Sequence, residues 1–235
     1  AGDPGLMALY AIGDLHLSFQ VDKPMDVFGG AWVGYVDKLR EGLKRIGPED
    51  TTVLLGDLTW GMSLDKAVED FRFINAIPGR KILLKGNHDY WWSTAKKFYD
   101  FCRQQGFSDM LILNNNCWTY GDYAICGTRG WFYEEERHGA QDEKVFRREL
   151  MRLETSLKEA GDREKLCFLH YPPRFGAYRC QEIQDMLTQY GVKACYYGHL
   201  HGASHKTAFQ GFWGDVRYQL VAADYLDFRP VQVLD

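Results

Sequence analysis

The amino-acid sequence predicts an α/β fold, a four-layer αββα sandwich in which two mixed β-sheets pack together and helices cover their outer faces. Short aliphatic runs without a helical period recur along the chain, which is typical of buried strands. Between them lie segments whose apolar residues have helical spacing. A cluster of polar residues directly follows each of five runs. Because ligands of open α/β sheets bind beyond the carboxyl ends of the strands, these clusters are expected to converge on one site.

Each of the five runs ends in residues suited to acid–base chemistry or metal binding. Residues 7–12 precede Asp14 and His16, 53–55 precede Asp57, 82–84 precede Asn87, His88 and Asp89, 166–169 precede His170, and 194–197 precede His199 and His201. Two further regions indicate strands. Turn residues at 114–116 and 121–122 divide a stretch of short apolar pieces into strands expected to be neighbours, and residues 216–220 alternate as in a half-buried strand.

Four segments carry apolar residues at helical spacing and predict amphipathic helices. Their apolar positions are Trp32, Val36, Leu39, Leu43 and Ile46; Ala67 or Val68, Phe71 and Ile74; Phe146, Leu150, Leu153 and Leu157; and Ile183, Leu187 and Tyr190. A further helix is expected to begin near Trp91 with Asp89 as its N-cap, because Asp is a preferred residue at that position. Orientation of His88 is the alternative role for Asp89. Strands and helices therefore alternate along the chain.

The composition is that of a soluble globular protein, and we expect one domain over residues 1–235. Residues 1–6 are set aside as an addition ahead of a native start at Met7. The net charge of −4 comes without a basic stripe, so nucleic acid is not expected as a partner. No apolar stretch reaches the ~18 residues of a membrane span, and we expect a cytoplasmic protein. The six cysteines form no C-x-x-C pair and are interpreted as reduced and structural.

The polar clusters supply two aspartates, one asparagine and four histidines as candidate metal donors. This mixture of oxygen and nitrogen donors without thiolates suits manganese, iron or zinc rather than calcium. One tetrahedral ion would leave several of these side chains unpaired, so two divalent metal ions are expected. The candidate donors are Asp14, His16, Asp57, Asn87, His170, His199 and His201.

The arrangement of these residues resembles the calcineurin-like metallophosphoesterase family in composition, order and spacing. The motifs are Asp14-x-His16, Gly56-Asp57, Gly86-Asn87-His88-Asp89, His170 and Gly198-His199-x-His201. The resemblance spans residues 14–201, and each motif closes an apolar strand. It implies a first metal bound by Asp14, His16 and His201, a second bound by Asn87, His170 and His199, and Asp57 as the bridge between them. A carboxylate suits a bridge, because its two oxygens offer about four lone-pair sites.

The resemblance implies a metal-dependent phosphohydrolase that acts on a small phosphomonoester or phosphodiester, with nucleotide-like esters among the candidates. In such a site a hydroxide that bridges the two metals attacks phosphorus in line, and His88 assists the departing oxygen. The segment after Asp57 lacks the Asp-Arg of similar protein Ser/Thr phosphatases, which disfavours a protein substrate. No tyrosine stands where purple acid phosphatases have their iron-binding phenolate. The physiological ester, the native metal and the oligomeric state stay open at this point.

Several aromatic and basic residues flank the clusters and are candidates for a substrate-binding wall, with core packing as the competing explanation for the aromatic ones. The substrate-binding candidates are Thr59, Trp60, Tyr171 and Arg174. Residues 130–134 are a candidate lid, His138 is expected to be exposed, and His205 is expected to be structural. Two alternative functions remain, a catalytically inactive metal-binding scaffold for protein interactions and a nuclease of the same family, which the acidic balance disfavours.

Overall fold

Two β-sheets lie face to face in the computed structural model, which describes residues 7–132 and 139–234. The strands are β1 (Leu9–Ile12), β2 (Thr51–Leu55), β3 (Arg80–Leu84), β4 (Met110–Ile112), β5 (Cys117–Tyr120), β6 (Tyr123–Thr128), β7 (Glu164–Leu169), β8 (Arg174–Phe175), β9 (Tyr178–Arg179), β10 (Ala194–Tyr197), β11 (Gly211–Trp213), β12 (Val216–Leu220) and β13 (Val231–Leu234). The helices are α1 (Tyr35–Leu43), α2 (Val68–Asn75), α3 (Ala95–Gln105), α4 (Ala140–Glu159) and α5 (Gln181–Gln189). The expectations for residues 1–6, for His138 and for residues 133–134 of the candidate lid lie outside the described residues.

Both sheets are mixed. The first sheet has the strand order β13-β1-β2-β3-β4, with β13 antiparallel to β1 and the other pairs parallel. The second has the order β11-β12-β10-β7-β6-β5, with four parallel central strands and antiparallel edge strands. The strands β8 and β9 form a separate hairpin. Parallel neighbours bring their carboxyl ends to one edge of each sheet, which is where the predicted polar clusters lie.

Alternate residues of the central strands enter different layers of the core, because successive side chains of a strand point to opposite faces. In β1, Leu9 and Ala11 lie between the sheets, while Tyr10 and Ile12 pack beneath helices. In β7, Phe168 lies between the sheets in the same way. The helices α1, α2 and α3 cover the first sheet, and α4 and α5 cover the second. The predicted four-layer αββα sandwich is therefore confirmed.

The helix after β3 begins later than predicted. It starts at Ala95, and Thr94 is its N-cap, with a side chain that accepts a hydrogen bond from the N–H of Lys97 at 3.2 Å. The prediction that Asp89 caps this helix is wrong, because the Asp89 carboxylate is buried and accepts hydrogen bonds from several loops instead. Capping propensity of a single residue was outweighed by its tertiary surroundings.

The predicted turns between residues 111 and 125 have different roles. The turn at 121–122 joins β5 and β6, which are antiparallel neighbours as expected. The turn at 114–116 instead connects β4 of the first sheet to β5 of the second, so these two strands are not neighbours. The prediction of adjacent strands on both sides of 114–116 is wrong, because a turn motif in sequence does not specify which sheet receives the next strand.

Two further features of the structure concern the cysteines and the lengths of the helices. All six cysteines are free thiols, and all but Cys117 are buried. Within the part of the chain that the structure describes, no helix has the length and apolar character required to cross a membrane.

The layer between the sheets should contribute strongly to stability, and Phe168 tests it. This side chain is fully buried and stacks on Tyr196 with 5.2 Å between ring centroids. Replacing Phe168 by Ala should lower the free energy of unfolding by about 3–5 kcal/mol, because it removes buried apolar surface and leaves a cavity. Urea denaturation measures this change. The matched control Phe212→Ala, at a side chain that is 68% exposed, should change stability by less than about 0.5 kcal/mol; equal losses would contradict the layer assignment.

Candidate metal centre

The carboxyl ends of strands from both sheets meet at one edge of the sandwich. At the end of β1, Gly13 donates its N–H to the carbonyl of Val221 at 2.8 Å, which links the first sheet to the segment after β12. At the end of β10, the N–H of Gly198 donates to the carbonyl of His170 at 3.1 Å. The loops that carry the predicted donors are thus hydrogen-bonded to each other, and their positions are mutually determined.

Four of the predicted donors have a backbone conformation that L-residues rarely adopt. The angle φ is 60° at Asp14, 46° at His16, 50° at Asp57 and 73° at His199. Each such residue costs on the order of 1–3 kcal/mol unless the surrounding structure holds it in place. The backbone N–H groups of Asp14 and His16 donate to the carbonyls of Gly56 and Asp57, both at 2.9 Å. Backbone strain is therefore concentrated where the predicted donors lie.

Two glycines allow the backbone to pass directly against the buried carboxylates. A Cβ atom at Gly86 would lie 2.2 Å from Oδ1 of Asp57, and one at Gly198 would lie 2.3 Å from Oδ2 of Asp14. Only a hydrogen atom fits on Cα at these two positions. The backbone therefore passes close enough for N–H groups shortly after each glycine to reach the carboxylates. The N–H of His88 donates to Oδ1 of Asp57 at 2.8 Å, and that of His199 donates to Oδ2 of Asp14 at 3.0 Å.

The structure brings the predicted donors together in two groups that share Asp57. Within each group, one donor atom from every residue lies within 4.8 Å of the others. The first group is Asp14, His16, Asp57 and His201, and the second is Asp57, His170 and His199. The amide oxygen of Asn87 joins the second group, 2.8 Å from Nε2 of His170.

Within each group, donor atoms of different residues lie close enough together to share a cation. Nε2 of His201 is 3.3 Å from Oδ1 of Asp14 and 3.3 Å from Nε2 of His16. In the second group, Nε2 of His170 is 3.4 Å from Oδ2 of Asp57. The Nδ1–H of His170 donates to the carbonyl of Leu55 at 2.9 Å, which leaves Nε2 to face the donors. This orientation of the imidazole is the one that a metal-binding histidine adopts.

The electrostatics of the groups also fit divalent cations. Asp14 and Asp57 are 0% and 1% exposed, and within the described residues their ion-pair partners are histidines rather than Lys or Arg. Burial opposes ionisation of Asp57, but His170 and His16 outweigh it and hold the pKa of Asp57 below its usual range. Buried carboxylates require a compensating positive charge. The donor set therefore fits two divalent metal ions.

The four histidines of the donor groups fall into two classes, one with lowered and one with raised pKa values, according to the charges nearest to each ring. Burial lowers the pKa of His16 to about 4 and that of His199 to about 3, so both imidazoles are neutral, as metal ligands must be. For His170 and His201 burial is outweighed by neighbouring carboxylates, chiefly Asp57 for His170 and Asp14 for His201. The pKa of His170 is raised to about 9 and that of His201 to about 10. The protons on these two rings carry the positive charge that bound cations would otherwise supply to the donor groups.

Asp89 connects the loops that follow β2 and β3. Its carboxylate accepts hydrogen bonds from the N–H groups of Asp57 and Gly86, both at 2.7 Å, and from Leu58 and the Trp91 indole, both at 2.9 Å. Burial, and then the negative charge of Asp57, raise the pKa of Asp89 to about 6. Asp89 thus positions the loop of Asp57 and the loop of Asn87 relative to each other.

Asp224 is a further component of the site that the sequence analysis did not single out. Its Oδ1 accepts hydrogen bonds from Nδ1–H of His201 at 3.1 Å and from Nε2–H of His205 at 3.2 Å. Its Oδ2 accepts from the N–H of Gly202 at 3.1 Å. His205, expected to be structural, supports Asp224 in this way. Asp224 lies in a loop without a recognisable motif, so no signal in the sequence identified it.

Two of the four substrate-binding candidates lie against the donor groups. The ring of Trp60 stacks on His16 at a centroid distance of 5.0 Å and lies 4.7 Å from His88. On the other side, the ring of Tyr171 lies 4.9 Å from His199 and 5.2 Å from His170. Aromatic rings therefore border both donor groups.

The other two substrate-binding candidates are placed differently. Thr59 is 1% exposed, and its hydroxyl donates to Asp70 and accepts from the N–H of Gly61, so its placement gives no support to a substrate contact. The guanidinium of Arg174 lies 3.9 Å from the ring centroid of Phe209 and is engaged with aromatic rings rather than with the donor groups. Thr59 is held by hydrogen bonds and Arg174 by an aromatic contact, and a substrate contact by either residue stays a prediction.

Comparison with known proteins agrees with this geometry. Fold and site define an αββα protein with a candidate dinuclear metal centre at its strand ends. The chain belongs to the calcineurin-like phosphoesterase family, whose model matches residues 7–203. The resemblance inferred from the motifs is thereby confirmed, and membership of this family supports a metal-dependent phosphoesterase in general. No curated protein sequence matches the chain significantly.

Several solved structures have a similar fold. The chain is similar to AQ665 from Aquifex aeolicus, a protein described as of unknown function, with 18% identity, coverage of 97% of this chain and 96% of that one, and a TM-score of 0.53. It is also similar to TT1561 from Thermus thermophilus, with 11% identity, coverage of 96% and 97%, and a TM-score of 0.50. At these identities the likeness shows the fold alone.

Replacing Asp224 by Asn tests its positioning role. The change should weaken metal binding about 10–100-fold, because it removes the carboxylate that orients His201 and increases its basicity. Metal titration followed by calorimetry measures the affinity, and circular dichroism verifies the fold. Asp215→Asn, at an exposed aspartate in the turn between β11 and β12, is the matched control. Unchanged affinity in Asp224→Asn would show that Asp224 supports only local structure.

Proposed function

We propose that this protein is a dinuclear metal-dependent phosphoesterase that hydrolyses a small phosphomonoester or phosphodiester. The observation that carries the proposal is the pair of donor groups that share the buried carboxylate of Asp57. The metal ions we propose are manganese, iron or zinc, which suit mixed carboxylate, amide and imidazole donors. When bound, two such ions supply Lewis acidity to the phosphoryl oxygens and lower the pKa of a water molecule toward neutrality.

The chain's own residues divide the work of holding this centre. Asp14, His16 and His201 would hold the first ion, Asn87, His170 and His199 would hold the second, and Asp57 would contribute to both, which the two donor groups support. The neutral amide of Asn87 supplies an oxygen without adding negative charge. Two carboxylates do not neutralise two divalent ions, so the centre retains the positive charge that attracts a phosphate ester.

His88 is the proposed acid for the departing oxygen. It follows Asn87 directly but belongs to neither donor group, and its ring lies beside Trp60. Its Nδ1 is 3.2 Å from the hydroxyl of Tyr90, which fixes the ring so that Nε2 faces away from that contact. A histidine held in this way can donate a proton or a hydrogen bond to a leaving group.

A direct assay tests the phosphoesterase proposal. Manganese-loaded protein should hydrolyse bis-p-nitrophenyl phosphate, lose activity with chelator and regain it when manganese is restored. The assay should extend to phosphomonoesters, cyclic nucleotides and pyrophosphate-linked substrates. Complete inactivity of metal-replete protein across this panel would favour the alternative of a catalytically inactive metal-binding scaffold.

The shared carboxylate predicts a specific pattern of metal loss. Asp57→Asn should weaken both metal sites together, because one carboxylate oxygen is replaced by an amide nitrogen, which does not bind a cation, and the negative charge is lost. His16→Ala should chiefly weaken the first site, since His16 belongs to the first donor group alone. Elemental analysis after equilibration with manganese gives the stoichiometry of each variant. A folded wild-type protein that binds at most one ion among these residues would refute the dinuclear centre.

The role of His88 predicts a dependence on the leaving group. His88→Ala should leave metal content nearly intact and slow an alkyl phosphate ester more than a p-nitrophenyl ester, with a loss of ~10²–10⁴-fold for the alkyl ester. The reason is that an alkoxide needs a proton to depart, whereas p-nitrophenolate does not. The ratio of kcat/KM values for the two esters measures the effect in each protein. Equal losses on both esters would mean that His88 positions the substrate instead.

A further inference from the structure

Three buried aromatic side chains pack together next to the first donor group, and they form an aromatic triad of Trp32, Tyr35 and Phe228. The ring centroid of Trp32 lies 5.1 Å from that of Tyr35 and 5.2 Å from that of Phe228, and both pairs have an interplanar angle of 76°. This edge-to-face arrangement is favourable for aromatic rings. The members of the triad therefore hold one another in place.

Trp32 contacts both imidazoles of the first donor group. Its ring centroid lies 5.8 Å from that of His16 and 5.9 Å from that of His201, with an edge-to-face arrangement in each pair. His16 follows β1 of the first sheet, whereas His201 follows β10 of the second. The Nε2 atoms of these two imidazoles are 3.3 Å apart. One buried indole thus packs against two neighbouring donors that reach the site from different sheets.

Tyr35 holds the backbone of His16 directly. Its hydroxyl donates a hydrogen bond to the carbonyl of His16 at 2.6 Å. The N–H of His16 donates to the carbonyl of Asp57, so both backbone polar groups of this donor residue are engaged. The angle φ at His16 is 46°, a conformation that is unfavourable unless the surrounding structure maintains it. Loss of the Tyr35 hydroxyl would therefore release one of the two bonds that maintain it.

The helix α1, which begins with the tyrosine of the triad, also packs against the loop that orients the other imidazole. A Cβ atom at Gly42 of α1 would lie 2.0 Å from the carbonyl oxygen of Phe228, so the helix passes directly against the backbone at this point. Residues 223–228 form a loop closed by the N–H of Phe228. Within this loop, Asp224 accepts the hydrogen bond from Nδ1–H of His201. The same helix thus supports both imidazoles of the first donor group.

We propose that Trp32 and Tyr35 are positioning residues that set the separation of the two imidazoles in the first donor group, and thereby the affinity for the first metal ion. The role rests on the proposed dinuclear centre. Within the described residues, neither side chain has a hydrogen bond or ring contact with the donors that belong to the second group alone. Contacts that orient metal-binding imidazoles typically contribute about 10–100-fold to metal affinity. The effect is therefore confined to the first ion.

Tyr35→Phe provides the first test, because it removes the hydroxyl and keeps the ring of the triad. Calorimetric titration of Mn²⁺ into the metal-free protein should show the dissociation constant of the first ion raised about 10–100-fold, with that of the second ion unchanged. Tyr99→Phe is the matched control, since it removes a hydroxyl of α3 that accepts a hydrogen bond from the N–H of Ile112 in β4. The control should leave both dissociation constants unchanged.

Two single-site backgrounds assign the titration steps to the donor groups. His16→Ala removes a donor of the first group alone, and His199→Ala removes one of the second group alone. Tyr35→Phe should weaken Mn²⁺ binding about 10–100-fold in the His199→Ala background and have no further effect in the His16→Ala background. Equal losses in both backgrounds would show a general effect on structure and overturn the positioning role. The absence of any loss would overturn it as well.

Electron paramagnetic resonance of manganese-loaded protein observes the dinuclear centre itself. Two Mn²⁺ ions at the ~3.5–4 Å spacing of two-metal sites couple magnetically, so their spectrum differs from that of a single ion. At stoichiometric Mn²⁺ the coupled spectrum should be weak in Trp32→Leu and recover at excess Mn²⁺. Trp32→Phe, which keeps an aromatic ring at this position, should retain most of it. If Trp32→Leu does not fold, Tyr35→Phe is measured in the same way.

These measurements separate failure of the positioning role from failure of the dinuclear centre. A wild-type protein that shows no coupled spectrum at excess Mn²⁺ would refute the dinuclear centre and the positioning role together. A coupled wild-type spectrum that is unchanged in Trp32→Leu and Tyr35→Phe would refute the positioning role alone. Neither measurement depends on hydrolysis, so inactivity toward every ester in the substrate panel would leave the result for the two positioning residues intact.

Discussion

The buried carboxylate of Asp57 is the constraint on which the rest of the site depends. It is 1% exposed, accepts a hydrogen bond from His88 at 2.8 Å, and lies 3.8 Å from Nε2 of His16 and 3.4 Å from Nε2 of His170. A carboxylate in such surroundings is stable only when positive charge and donors surround it. The strand order meets this requirement within the first sheet, because β2 lies between β1 and β3 and places Asp57 between the loops that carry His16 and Asn87.

Rigidity of the surrounding loops follows from the same requirement. Donors that bind two cations must be held in place before the cations arrive, since reorganisation would weaken binding. The αL backbone at Asp14 and Asp57, the close approach at Gly86 and the hydrogen bonds collected by Asp89 all restrict these loops. The αββα sandwich supplies the support, since its strand ends project the donors from a packed layer rather than from free loops.

Electrostatic attraction of a phosphate ester is local in this protein. The overall charge is negative, so positive charge for an anionic substrate has to arise at one edge of the sheets, where the proposed metal ions would supply it. The aromatic rings of Trp60 and Tyr171 border the donor groups, and the carboxylates of Asp14 and Asp57 within those groups are buried. A low local dielectric strengthens the interaction of these charges with an anionic substrate.

The sequence by itself determined the αββα class and the seven candidate donors, because short aliphatic runs ending in Asp, Asn and His carry both signals within a few residues. Their division into two groups around Asp57 followed from the family resemblance, and the structure brings the same residues together. Only the tertiary structure decided the parts made by distant segments. Asp224 meets His201, and Asp89 joins two loops instead of capping a helix. The physical reason is that hydrogen bonds and charge clusters between remote loops depend on packing, which leaves no local periodicity in the chain.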